Sequence, residues 1–151
     1  MYREASRRGV ELAKTGQIDK AMDAFAEMMS GSKEDQLFSY LQRADLLEEL
    51  GRYEESLALY RLATALAPEW DLLGVGVYTS LLRCGRFDEA VEHAKSFFAG
   101  RLELPHPDPV VEGHRQNIVR LLNMNEEAYS RTRQRLLEDP VSCLAEGGPP
   151  L

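Results

Sequence analysis

The residues able to do chemistry are few, and their spacing decides what each can be. His106, Asp108 and His114 come nearest to a metal-ligand set. A His-x-Asp followed by a distant His matches no tetrahedral zinc pattern, so they read as linker and helix residues. Cys84 and His93 invite comparison with a thiolate–imidazole pair, but Cys84 stands beside Gly85 at a helix end, where it reads as a small packing residue. His93 has no Ser or Cys nucleophile near it in sequence. Gly74-Val75-Gly76 lacks both the preceding strand and the helix-opening glycine of a phosphate-binding loop. The adjacent acids Glu48-Glu49, Glu54-Glu55 and Glu126-Glu127 point in different directions on helices and read as solvated faces. The expectation is a chain with no catalytic residues, no metal and no cofactor.

Charge narrows the partners. The formal net charge of −7 opposes contact with phosphate backbones and anionic membranes, since nonspecific nucleic-acid affinity comes mainly from Lys and Arg displacing counterions. No nucleic acid and no membrane are expected, and a protein or peptide is the partner class that remains. One region departs from the acidic balance. Arg131, Arg133 and Arg135, with Arg115 and Arg120 nearby, make the last stretch basic, and Arg131 and Arg135 share a helix face. This is either a solvated face opposite acids of a neighbouring element or a docking patch for an acidic partner, with RNA the weaker option. No apolar run approaches a membrane span, and Met1-Tyr2-Arg3-Glu4-Ala5 leads into charged sequence without the apolar core of a signal peptide. Cys84 and Cys143 form no disulfide framework, so a reducing cytoplasm is the expected setting.

The elements that position these residues announce themselves through a period. Glycines recur at 16, 51 and 85, separated by 51 − 16 = 35 and 85 − 51 = 34 residues. Each has a leucine four residues before it (Leu12, Leu47, Leu81), an apolar residue two after (Ile18, Tyr53, Phe87) and a small one five after (Ala21, Ser56, Ala90). A period in the mid-thirties means stacked helical hairpins. Glycine suits the residue after a helix end, which commonly takes positive φ. Acids open the following helices at Asp19, at Glu54 and Glu55, and at Asp88 and Glu89, where the helix dipole favours them. Helical apolar spacing continues through Met22, Phe25 and Met28, through Leu57, Tyr60 and Ala63, and through Val91, Ala94 and Phe97. Close approach of paired helices requires a short side chain, so Ala21, Ser56 and Ala90 are expected to be buried.

The segments GQIDKAMDAFAEM, GRYEESLALYRLATALAP and GRFDEAVEHAKSFF resemble the second half of the tetratricopeptide repeat. The middle unit, about residues 37–68, matches best, with Tyr40, Ala44, Leu47, Gly51, Tyr53, Ser56, Tyr60, Ala63 and a closing Pro68. The outer units depart from it. The first keeps Gly9, Leu12, Ala21 and Phe25 but has Met28 for the late alanine and no closing proline, and the third has Gly74 and Gly76 in its first helix and Tyr78 where a small residue is usual. The resemblance implies an all-α solenoid of antiparallel hairpins wound as a right-handed superhelix.

Three hairpins are expected over residues 1–102, then a linker and a helical pair over 103–139, then an extended or mobile tail over 140–151, all in a single structural domain. Pro105, Pro107 and Pro109 end the regular array. Asp108 before Pro109 is a helix start, giving helices over about 109–122 and 125–138, a degenerate fourth hairpin that caps the last apolar face. The tail offers one alternative, that Val141, Cys143 and Leu144 fold back as an internal ligand.

In the family that this chain resembles, the first helices of successive hairpins line a concave groove that receives a peptide or a helix. Counting from each glycine, the groove candidates are Arg3, Ser6, Arg7, Val10 and Lys14, then Phe38, Leu41, Gln42, Asp45 and Glu49, then Leu72, Val75, Gly76, Thr79 and Arg83. Phe38, Leu41, Leu72 and Val75 would make an apolar floor, although Phe38 and Leu72 would serve equally as packing between hairpins. The clamp for a chaperone's terminal carboxylate needs Lys, Asn and Arg at places held here by Ser6, Val10, Gln42, Leu72 and Gly76, so that ligand is not expected. The resemblance implies a non-enzymatic interaction module or adaptor. Alternatives are a secretion or assembly chaperone masking an apolar client segment and a self-oligomerising module, and monomer or homo-oligomer stays open.

Overall fold

Positive φ among the described residues falls on the three repeat glycines, at 76° for Gly16, 72° for Gly51 and 71° for Gly85. Around each, the backbone closes a paired hydrogen-bond motif in which the glycine N–H donates three residues back and the next N–H five back. Gly16 donates to Ala13 O at 3.0 Å and Gln17 to Leu12 O at 2.9 Å; Arg52 donates to Leu47 O at 2.8 Å and Arg86 to Leu81 O at 2.9 Å. The recurring leucine is thus the residue whose carbonyl receives the longer bond. Leu47 and Leu81 are buried.

The computed structural model describes residues 2–98 and 107–139. It contains α1 (Tyr2–Lys14), α2 (Ile18–Ala26), a 3₁₀ turn (Glu27–Ser30), α3 (Lys33–Glu49), α4 (Tyr53–Leu66), α5 (Asp71–Arg83), α6 (Phe87–Phe98), α7 (Pro109–Leu122) and α8 (Glu126–Glu138), with no strand among the described residues. None of these helices is long and apolar enough to cross a membrane. The chain divides into two compact units, Met1–Glu69 and Trp70–Leu151. The expectations for the tail 140–151 and for His106 lie outside the described residues.

In the first unit α1 pairs with α2 and α3 with α4, and α3 also packs on α1, α2 and the 3₁₀ turn. Ala21 and Ser56 are fully buried, as their place five after the glycine requires. Ser56 makes a second use of its small side chain, its Oγ donating to Ala44 O across the hairpin at 3.0 Å, and Ser39 Oγ likewise ties α3 to Phe25 O at 2.7 Å. The absent alanine and proline of the first hairpin have a structural answer. Helix α2 ends at Ala26, and Met28, expected on that helix, sits instead in the 3₁₀ turn, where it is still buried. Tightening the last turn satisfies terminal carbonyls that a longer helix would have bonded itself. Ser32 then starts α3 with a capping box, accepting from Asp35 N while Asp35 Oδ2 accepts from Ser32 N.

The second unit resolves the irregular third repeat. A Cβ on Gly74 would lie 2.2 Å from the Phe97 ring of α6, so the glycine is the seat of that ring, and His93 stacks on Phe97 while its Nε2 lies 2.8 Å from Gly74 O. Gly9 seats Phe25 in the same way, where an added Cβ would lie 2.4 Å from the ring. Tyr78, large where the resemblance expects a small residue, is fully buried with its ring edge-on to His114 of α7 at 6.4 Å, and Ala94 on α6 is fully buried too. Ala90 is fully buried.

Helix α7 packs on α5 and α8 on α6, so the last pair lies against the third hairpin. Asp108 caps α7, its carboxylate accepting from Val110 N and Val111 N, and Asn125 caps α8 by accepting from Ala128 N. Ile118, Leu121 and Leu136 are buried, and Phe87 meets Tyr129 edge to face at 5.4 Å.

Candidate functional site

The first unit carries a groove between α1 and α3, a cavity of about 300 Å³ lined by Val10, Ala13, Lys14, Phe25, Gln42, Asp45, Leu46 and Glu49. Its floor is the unit's own core. Phe25 and Leu46 belong to one buried cluster with Ala21, and Val10 and Ala13 pack against it half-exposed. Polar side chains rise around this floor because positions four and seven apart on a helix share a face, and Gln42, Asp45 and Glu49 follow that spacing on α3.

The rim is unevenly charged. Asp45 Oδ1 accepts a hydrogen bond from the Tyr60 hydroxyl at 3.0 Å, which orients the carboxylate while leaving lone pairs for another donor. Among the described residues neither the Gln42 nor the Glu49 side chain has a hydrogen-bond or ion-pair partner. Lys14 on the facing wall lies 3.6 Å from Glu11. The nearest cation of α3 itself, Arg43, is engaged elsewhere. Its guanidinium sits 5.3 Å over the Tyr40 ring and its Nε donates to Ser39 O, while partial burial lowers its pKa from the ordinary arginine value.

Five of the residues expected at a groove therefore line this cavity, namely Val10, Lys14, Gln42, Asp45 and Glu49. Arg3 and Arg7 are exposed on α1 outside the lining, and Phe38 is 55% exposed with Leu41 half-buried beside it. The third-repeat candidates behave differently. Val75 is 4% exposed and is corrected from groove residue to core residue, because α5 is apolar along nearly its whole length and buries accordingly. Thr79 Oγ1 donates back to Val75 O and Gly76 O, and Arg83 lies close enough to His114 of α7 to oppose its protonation. Leu72 is half-buried.

The three residues of the lining not anticipated from the sequence are Ala13, Phe25 and Leu46. Ala13 and Leu46 lie one turn from Val10 and Gln42, so the same periodicity carries the signal; Phe25, on the apolar spacing of α2, is buried and lines the groove from below. Three arginines of the basic patch pair with acids. Arg133 bonds Asp88 of α6 through two nitrogens at 3.0 and 2.9 Å, Arg131 pairs with Glu127 and Arg115 with Glu112. Arg131 and Arg135 are both exposed on α8.

Residues 39–69, which span most of α3 and all of α4, match the family model described as tetratricopeptide repeat. No curated protein and no solved structure matches the chain.

Proposed function

Since the chain is a helical-repeat protein of the tetratricopeptide type, we propose that it works without catalysis, as an adaptor that captures a peptide or helix of a partner protein in the groove between α1 and α3. Repeats of this type are protein–protein interaction modules in general. The observation that carries the specific reading is a preformed cavity with an apolar floor of Val10, Ala13, Phe25 and Leu46 and a rim on which the Gln42 and Glu49 side chains have no hydrogen-bond or ion-pair partner among the described residues. A rigid surface loses little conformational entropy on binding, which lets a modest contact hold a flexible ligand.

A photo-crosslinking amino acid at Gln42 and, separately, at Ala58 on the exposed surface of α4 tests it in native extract. Adducts from position 42 and none from position 58 are expected. Equal labelling from both would remove the groove from the mechanism. A second reading, a chaperone masking an apolar client segment, draws on the exposure of Phe38 at 55% and Leu62 at 50%. It predicts that Phe38→Ala with Leu62→Ala abolishes a partner's protection from aggregation while adducts at position 42 persist. Self-assembly would show as a concentration-dependent mass in light scattering.

A further inference from the structure

Resting on the reading that the α1–α3 groove receives the partner, we infer that the partner segment is an extended peptide with one bulky apolar side chain beside a Lys or Arg. The cavity of about 300 Å³ stands at the lower end of small-molecule pockets, so it suits one large side chain. Its floor offers only carbon to that side chain. The charge of the lining then selects the neighbour. Two carboxylates, Asp45 and Glu49, face one ammonium, Lys14, and that ammonium already lies 3.6 Å from Glu11. Asp45 is oriented by Tyr60 and Glu49 has no partner among the described residues, so an incoming cation gains charge-assisted hydrogen bonds that no described cation now makes. An acidic residue at the same place would meet both carboxylates. Gln42, between floor and rim, presents a donor and an acceptor to a passing peptide backbone.

The probe is a phage-displayed library of randomised linear peptides selected on the full chain, with the winners remade as synthetic peptides and measured by fluorescence anisotropy. The selected peptides are expected to pair Leu, Ile, Phe or Trp with an adjacent Lys or Arg. Asp45→Asn with Glu49→Gln should weaken them about tenfold, as loss of a charged hydrogen bond does, and added salt should weaken the wild type but not this variant. Val10→Trp, which fills the cavity, should abolish binding; far-UV circular dichroism checks its fold, and Gln42→Trp replaces it if the fold is lost. Peptides without Lys or Arg, or with equal affinity for wild type and the neutralised variant, overturn the inference. If those peptides still fail to bind Val10→Trp, the groove reading survives alone. If they bind the filled variant normally, or if no peptide is selected, both fall.

Discussion

Helices α3 and α5 hold equivalent places in the repeat, 85 − 51 = 34 residues apart, yet one presents a surface and the other is largely interior. Of the seventeen residues of α3 five are buried, against eight of thirteen in α5, so the shared frame does not make shared environments. Position by position, exposed Phe38 corresponds to half-buried Leu72, half-buried Leu41 to buried Val75, exposed Asp45 to half-buried Thr79, and exposed Glu49 to half-buried Arg83. The reason is composition. α3 alternates charge with carbon along its length, whereas α5 carries charge only at Asp71 and Arg83, its two ends. A helix apolar all round buries all round. Periodicity says which residues are equivalent, and the amount of apolar surface says which of them a neighbour will cover.

The largest effect should come from forcing a charge into the closed helix. Val75→Asp leaves a buried carboxylate without a partner and should cost about 3 kcal/mol or more, while Leu41→Asp at the equivalent place should cost about 1 kcal/mol. Urea midpoints of the two variants measure the difference; equal losses would break the comparison.

A smaller effect separates the glycines of the second unit. Gly74→Ala drives a methyl into the Phe97 ring and should destabilise by about 1–3 kcal/mol, partly relieved by Phe97→Leu in a double-mutant cycle. Gly113→Ala on α7 meets nothing within 4 Å and should stabilise by about 0.5–1 kcal/mol through helix propensity alone. If both glycines respond alike, packing at Gly74 is not what holds the third hairpin.

The smallest effect is a dependence on pH that belongs to one unit. All three histidines lie in Trp70–Leu151, and His114 is partly buried with its ring edge-on to Tyr78 at 6.4 Å. Burial, and secondarily the charge of Arg83, lower its pKa below the ordinary 6.5. The unfolded chain therefore takes up the proton first, and stability falls as pH drops through 6.5 until the folded group also titrates. Hydrogen exchange at a series of pH values should show this slope in α5 and α7, and should lose it there in His114→Phe, while α1–α4 stay level across that range. A slope common to both units, or one that survives His114→Phe, would assign the effect elsewhere.

Much of the fold was legible beforehand because its signals are local. The turn glycines, the small residues at Ala21, Ser56 and Ala90, and the Asp108 start of α7 each depend on neighbours a few residues away. Of the candidate site, Val10, Lys14, Gln42, Asp45 and Glu49 were legible through the register of the repeat. Val75 was misassigned because register carries no information on coverage, although the low charge of α5 did. Phe25 escaped because it serves the hairpin and the groove at once, a double duty that spacing along one helix cannot express. The Asp88–Arg133 pair, 133 − 88 = 45 residues apart, joins helices whose approach no local pattern states.

The sequence by itself determined the hairpins and their turns, since these follow from φ at glycine, helical spacing and capping within a few residues. Only the tertiary structure decided that α3 keeps an open, acidic groove while the equivalent face of α5 is closed, and that Gly74 seats Phe97 instead of weakening its helix. Burial and close packing are properties of surfaces brought together from distant parts of the chain, and they exist only once the helices have met.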